Sequence, residues 1–195
     1  MRLFVAVAVP AQAADVLDDA VAQFRPSWPE LRWTGRDAWH VTLAFLGEVN
    51  EQVSVRLMPR LERAAARHPT LLVSLSGAGA FPGAARARVL WTGVQDEPRG
   101  LAALAASVAA GARRAGAATA EEGRRFQPHL TLARCRAPVD VRPLVDSLSG
   151  YTGTPWTAGE IHLICSPLPG GRAHDRPRYE TLASWPLRVS AVPGT

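Results

Sequence analysis

The segment His40-Val41-Thr42-Leu43-Ala44-Phe45-Leu46-Gly47-Glu48-Val49 opens with an imidazole and a hydroxyl separated by one apolar residue, and His129-Leu130-Thr131-Leu132 repeats that opening in the second half of the chain. Side chains alternate between the two faces of a strand. His40 and Thr42 therefore share one face while Val41 and Leu43 point into a core, and His129 and Thr131 divide from Leu130 and Leu132 in the same way. Each segment is expected to be a strand that presents a histidine and a threonine side by side on its polar face. Taken singly, either histidine reads as an ordinary hydrogen-bonded or surface residue. The same pattern at two of the five histidines points to a shared site.

The flanks of the two segments also correspond. Arg2 to Val9 reads as a buried strand closed by Pro10, and residues 11–24 carry Leu17, Val21 and Phe24 at helical spacing opposite Asp15, Asp18 and Asp19. Ala87 to Val94 reads as another strand. The stretch 98–115 reads as a helix with Leu101, Leu104, Ala105, Val108 and Ala112 on one face and Gly116 as its stop. A strand, a helix and a strand that opens on the histidine motif thus occur twice, which predicts two lobes related by a pseudo-two-fold axis around a cleft. Further strands are expected at Leu31–Thr34, Thr70–Gly79, Trp156–Ser166 and Tyr179–Val189, with a turn at Phe81-Pro82-Gly83. The two motif strands are expected to span Trp39–Leu46 and Pro128–Arg134. Asn50 caps a helix bearing Val53, Leu57, Leu61 and Ala64, which Pro59 should kink or divide, and residues 140–149 form a short helix. The Pro/Gly/Arg stretch Pro167–Pro177 is expected to be a mobile loop.

At 195 residues and 20.9 kDa, 47% of them hydrophobic, the chain has room for a single domain of two small lobes. No apolar run approaches the roughly 18 residues needed to span a bilayer. The alternation of Arg2–Val9 and the lack of a cleavage site set a secretion signal aside. Cys135 and Cys165 alone cannot build a disulfide scaffold or a four-ligand zinc site, so a cytoplasmic protein is expected. The net charge of +5 and pI of about 10.4 favour an anionic partner. All 22 basic side chains are arginine. A chain without lysine has no Walker A loop, no Schiff base and no lysyl-nucleotide intermediate.

Two neutral imidazoles could bind a metal, but no Asp, Glu or Cys cluster at ligand spacing completes the shell. A nucleophilic triad needs an activated serine or cysteine, and no G-x-S-x-G elbow is present. Paired acid–base catalysis is the economical reading, with one histidine taking a proton from the nucleophile and the other giving one to the leaving group. Imidazole suits both roles because it titrates at about 6.5. The threonine hydroxyls and an arginine would hold an anion between the rings, most simply a phosphate.

These blocks resemble those of the two-histidine (2H) phosphoesterase superfamily, and within it the RNA 2′,3′-cyclic phosphodiesterases, also called 2′-5′ RNA ligases. The resemblance extends through Arg2-Leu3-Phe4-Val5-Ala6, Arg32-Trp33, Val89-Leu90-Trp91-Thr92-Gly93-Val94, Phe126-Gln127-Pro128, Ser166 and Tyr179-Glu180. It implies an α+β, bilobal fold whose two pseudo-symmetric lobes of antiparallel sheet, with helices outside, line a central cleft. It implies metal-independent opening of a terminal 2′,3′-cyclic phosphate to a 2′-phosphate; no cofactor and a monomer are expected. By position, His40 matches the proton donor to the leaving 3′-oxygen and His129 the base that activates water. Thr42 and Thr131 match phosphate contacts, and Arg134 a substrate-binding arginine. Trp39 and Ala44 depart from the pattern, standing where aliphatic and basic residues are common.

Other residues are read as follows. Arg124 and Arg125 extend a phosphate track towards Arg134. Phe45, Phe81 and Phe126 are candidates to stack a terminal base, although Phe45, taken to share the His40 face only if its strand stays regular, is otherwise expected in the core. His68 and His162 are expected to be structural, and His174 a loop residue. RNA joining by the reverse reaction, and RNA binding without turnover, are the alternatives to hydrolysis.

Overall fold

A computed structural model describes residues 1–97, 100–119, 125–166 and 179–189. The expected mobile loop Pro167–Pro177, Arg124 and His174 lie outside the described residues. Strands β1 (Arg2–Ala8), β3 (His40–Glu48), β8 (Glu160–Ser166) and β9 (Glu180–Pro186) form one antiparallel sheet in the order β3-β1-β8-β9. Strands β2 (Leu31–Trp33), β4 (Leu71–Phe81), β5 (Ala87–Glu97), β6 (His129–Val139) and β7 (Trp156–Ala158) form the other, in the order β2-β6-β5-β4-β7. The trio β3-β1-β8 is therefore matched by β6-β5-β4, each opening with a histidine-motif strand. The halves of the chain also exchange strands. β2 leaves the N-terminal half to edge the second sheet, and β8 and β9 return to the first.

Helices α1 (Ala11–Ala22), α2 (Glu51–Arg67), α3 (Gly100–Ala115) and α4 (Arg142–Ser147) complete an α+β architecture among the described residues. Their apolar faces share one buried cluster with one face of each sheet. Leu17, Leu57, Leu61, Leu104 and Val108 of the helices join Val5, Val41 and Leu43 of the first sheet and Leu90, Leu130 and Leu132 of the second. Helix α2 begins as the sequence predicts, with the Asn50 side chain accepting the Val53 N–H at 2.9 Å.

Three expectations are corrected. Pro59 does not divide α2, which runs unbroken from Glu51 to Arg67. Pro59 is exposed and Val55, whose carbonyl loses its helical partner, is 68% exposed, so water can satisfy that oxygen. The single strand expected over Trp156–Ser166 is two, since the chain passes from the edge of one sheet to the interior of the other at Gly159. The second motif strand runs to Val139, beyond Arg134, because β2 and β5 pair with it on both sides.

The exposed position of Pro59 yields a stability prediction. Pro59→Ala restores the backbone donor to the Val55 carbonyl and should stabilise the fold by about 1–3 kcal/mol. Urea denaturation measures it, and an unchanged or lower midpoint would contradict it.

Candidate active site

The two motif strands share one irregularity. In β3, Val5 pairs with Ala44 and Ala6 with Thr42, so Leu43 is an extra residue. In β6, Leu90 pairs with Ala133 and Trp91 with Thr131, so Leu132 is extra. Such a bulge lets two successive residues face the same side. Leu43 and Ala44 are both buried, as are Leu132 and Ala133.

The bulge decides where the fifth residue after each histidine points. In a regular strand Phe45 would lie opposite His40, since five is an odd number of steps. The bulge brings it back, so regularity is not what places it there. Phe45 pairs with Phe4 and packs in a small cluster with Phe4, Ala6, Ile164 and Tyr179 on the face that carries His40 and Thr42. By the same device Arg134 joins His129 and Thr131. The expectation that a regular strand brings Phe45 to the His40 face is thus corrected: the bulge does so, and no count along the motif places Arg134 there.

β3 and β6 lie alongside each other across the sheet boundary. Each ring is tied to a carbonyl two residues back. His129 Nδ1 donates to the Gln127 carbonyl at 2.8 Å, and the His40 ring is hydrogen-bonded to the Ala38 carbonyl. A carbonyl only accepts, so the neutral His129 ring carries its proton on Nδ1 and keeps the Nε2 lone pair free.

The surroundings of the rings differ. His40 packs against Phe4 (centroids 4.7 Å apart) and meets Tyr179 edge-on at 5.3 Å. This burial pushes its pKa down from 6.5 to about 4, and the charges of Arg134 and His129 push in the same direction against the Ala38 hydrogen bond. Arg134 and His129 are thus near enough for His40 to feel them. His129 meets Phe81 edge-on at 5.0 Å and lies 6.0 Å from the Trp91 ring. Trp91 occupies this place because Gly79, its cross-strand partner, has no side chain. A Cβ there would overlap the indole.

Thr42 and Thr131 are half-buried beside their histidines, and Arg134 is exposed. Arg125 is exposed four residues before His129, whereas Phe126 packs half-buried against the main core. Phe81 stands beside His129. His68 is structural as expected, its Nε2 lying 2.7 Å from Ser107 Oγ. His162 pairs with Ala6 and so shares the Thr42 face, with its Nε2 3.6 Å from a Glu160 carboxylate oxygen. Phe4, Trp91 and Tyr179 gained no site role from the sequence pattern, because only the strand pairing shows that they flank the histidines. Among the described residues no group of three or more His, Cys, Asp or Glu side chains is arranged to hold a metal ion.

Residues 10–166 match the model of the 2′-5′ RNA ligase superfamily. The chain belongs to this superfamily. It is 33% identical to the RNA 2′,3′-cyclic phosphodiesterase of Escherichia coli over 95% of this chain and 96% of that one. Its fold superposes on TT0787 of Thermus thermophilus with a TM-score of 0.78 at 27% identity, covering 98% of this chain and all of that one. E. coli LigT in its apo form gives a TM-score of 0.75 at 30% identity, over 96% and 97% of the two chains. The superfamily read from two H-x-T-L blocks thus holds over nearly the whole chain. No helix among the described residues is long and apolar enough to cross a membrane.

The depressed pKa of His40 predicts a linkage between pH and stability. An unfolded histidine binds its proton below about 6.5, whereas folded His40 does so only below about 4. Stability should therefore fall as pH drops through this window, by up to ~3 kcal/mol. His40→Gln should lack this component. Histidine NMR titration with parallel denaturation checks it, and a His40 midpoint near 6.5 would refute it.

Proposed function

We propose that the protein hydrolyses the 2′,3′-cyclic phosphate end of RNA, or of a nucleotide, to a 2′-phosphomonoester. The carrying observation is the pair of matched His/Thr sets on adjoining sheets, with His129 Nε2 free and Arg134 near enough for His40 to feel its charge. His129 takes a proton from water as the water oxygen attacks phosphorus. The bond from phosphorus to the 3′-oxygen breaks, and His40 gives its proton to that oxygen. The product carries a 2′-phosphate and a 3′-hydroxyl.

His40 is neutral in the free protein, and the phosphate supplies what it needs to act as an acid. The anion counters the Arg134 charge and favours a proton on His40. Burial that depresses the pKa of a ring also makes its protonated form a strong donor. Thr42, Thr131 and the Arg134 fork hold the phosphate oxygens. Phe45 offers a surface for the terminal base, and Arg125 an outlying positive charge.

The E. coli relative is named for this activity, and LigT of E. coli has been crystallised with 3′-AMP, which supports a nucleotide-sized anionic ligand. The reading includes one domain spanning 1–195, made of two interleaved lobes that each bring one motif. It also includes a monomer in the cytoplasm, working without metal or cofactor on cyclic-phosphate RNA ends.

Product identification on an oligonucleotide ending in a 2′,3′-cyclic phosphate tests this. The expected product is the 2′-phosphate, formed at the same rate with EDTA. A 3′-phosphate, binding without turnover, or activity lost to EDTA and restored by a divalent ion would each refute the mechanism. Joined product with 5′-hydroxyl RNA as the main outcome would favour ligation.

A further inference from the structure

Strand β2 edges the second sheet, and its central residue Arg32 pairs directly with Arg134 of β6. Leu31 is buried and Trp33 packs against the main core, so Arg32, between them, projects to the opposite face. Its partner Arg134 lies on the face of His129 and Thr131. Both arginines are exposed. Like charges directly opposite one another on a sheet are destabilising. Among the described residues no carboxylate pairs with either, whereas nearby Arg36 pairs with Asp15. A juxtaposition of this kind is relieved by a bound anion.

One phosphate does not need both. A 2′,3′-cyclic phosphate carries a single negative charge on two non-bridging oxygens. In the reading above, Arg134, Thr42 and Thr131 already serve those oxygens. Arg32 sits one strand further out, roughly 4.8 Å away along the sheet, on the side away from Val89 and Phe81. Its stem is long enough to reach a neighbouring group.

We infer that Arg32 forms a second anion subsite, which binds the internucleotide phosphate one step 5′ of the cyclic end. The inference rests on the cyclic phosphodiesterase reading and narrows its substrate to oligonucleotide ends over free cyclic nucleotides.

The test compares a nucleoside 2′,3′-cyclic phosphate with a dinucleotide that has the same terminal nucleoside and one internal phosphate. Arg32→Gln should raise the dinucleotide KM about tenfold or more and leave both constants for the mononucleotide within twofold. The salt slope of log kcat/KM for the dinucleotide should fall by about 0.7–1. Arg32→Lys should keep most of that slope. A dinucleotide with an uncharged methylphosphonate in place of the internal phosphate should reproduce the loss with the unaltered protein. Circular dichroism verifies that the variants are folded. Equal effects on both substrates would place Arg32 on the cyclic phosphate itself, and no effect on either would remove it from the site. Both results overturn the inference and leave the activity standing. Failure of the unaltered protein to turn over either substrate would overturn the activity, and the inference with it.

Discussion

The site depends on one extra residue in each of two strands. Leu43 and Leu132 are inserted into the pairing of β3 with β1 and of β6 with β5. Each insertion turns two successive apolar side chains into the core and restores the polar face for the residue that follows. The first strand thereby adds Phe45 to His40 and Thr42, and the second adds Arg134 to His129 and Thr131. Buried leucines anchor both bulges, so the same packing that stabilises the sheets sets the direction of the site residues.

The symmetry of the backbone is not carried into the side chains around the rings. Phe4 and Tyr179 enclose His40, while His129 has its Nδ1 held by Gln127 and lies beside Phe81 and Trp91. One imidazole is therefore biased strongly towards its neutral form. The difference suits a reaction in which the two rings perform opposite proton transfers. It arises from residues on neighbouring strands, not from the motifs.

The matched His/Thr pairs and the correspondence between halves were legible because strand periodicity and a repeated motif are local signals, whereas the α+β class came from the family resemblance. The direction of Phe45 and Arg134 was not legible, since it reverses at a bulge. The apolar doublets Leu43-Ala44 and Leu132-Ala133 mark that bulge in the sequence, because two successive apolar residues break the alternation. Pro59 does not divide its helix, because a proline on a solvent-facing turn can remain within one. The split at Gly159 and the contacts of Phe4, Trp91 and Tyr179 depend on pairing between distant segments. The opposition of Arg32 and Arg134 likewise exists only once β2 has joined the second sheet.

The central claim is that His40 and His129 act as one unit on one phosphate. A double-mutant cycle on kcat tests it most directly, with His40→Ala, His129→Ala and the double variant each shown to be folded. Groups that serve the same step lose their effects together. Each single change should lower kcat by roughly two to four orders of magnitude, and the double variant should be little slower than the slower single one. Multiplicative losses, or near-normal turnover in either folded single variant, would contradict it.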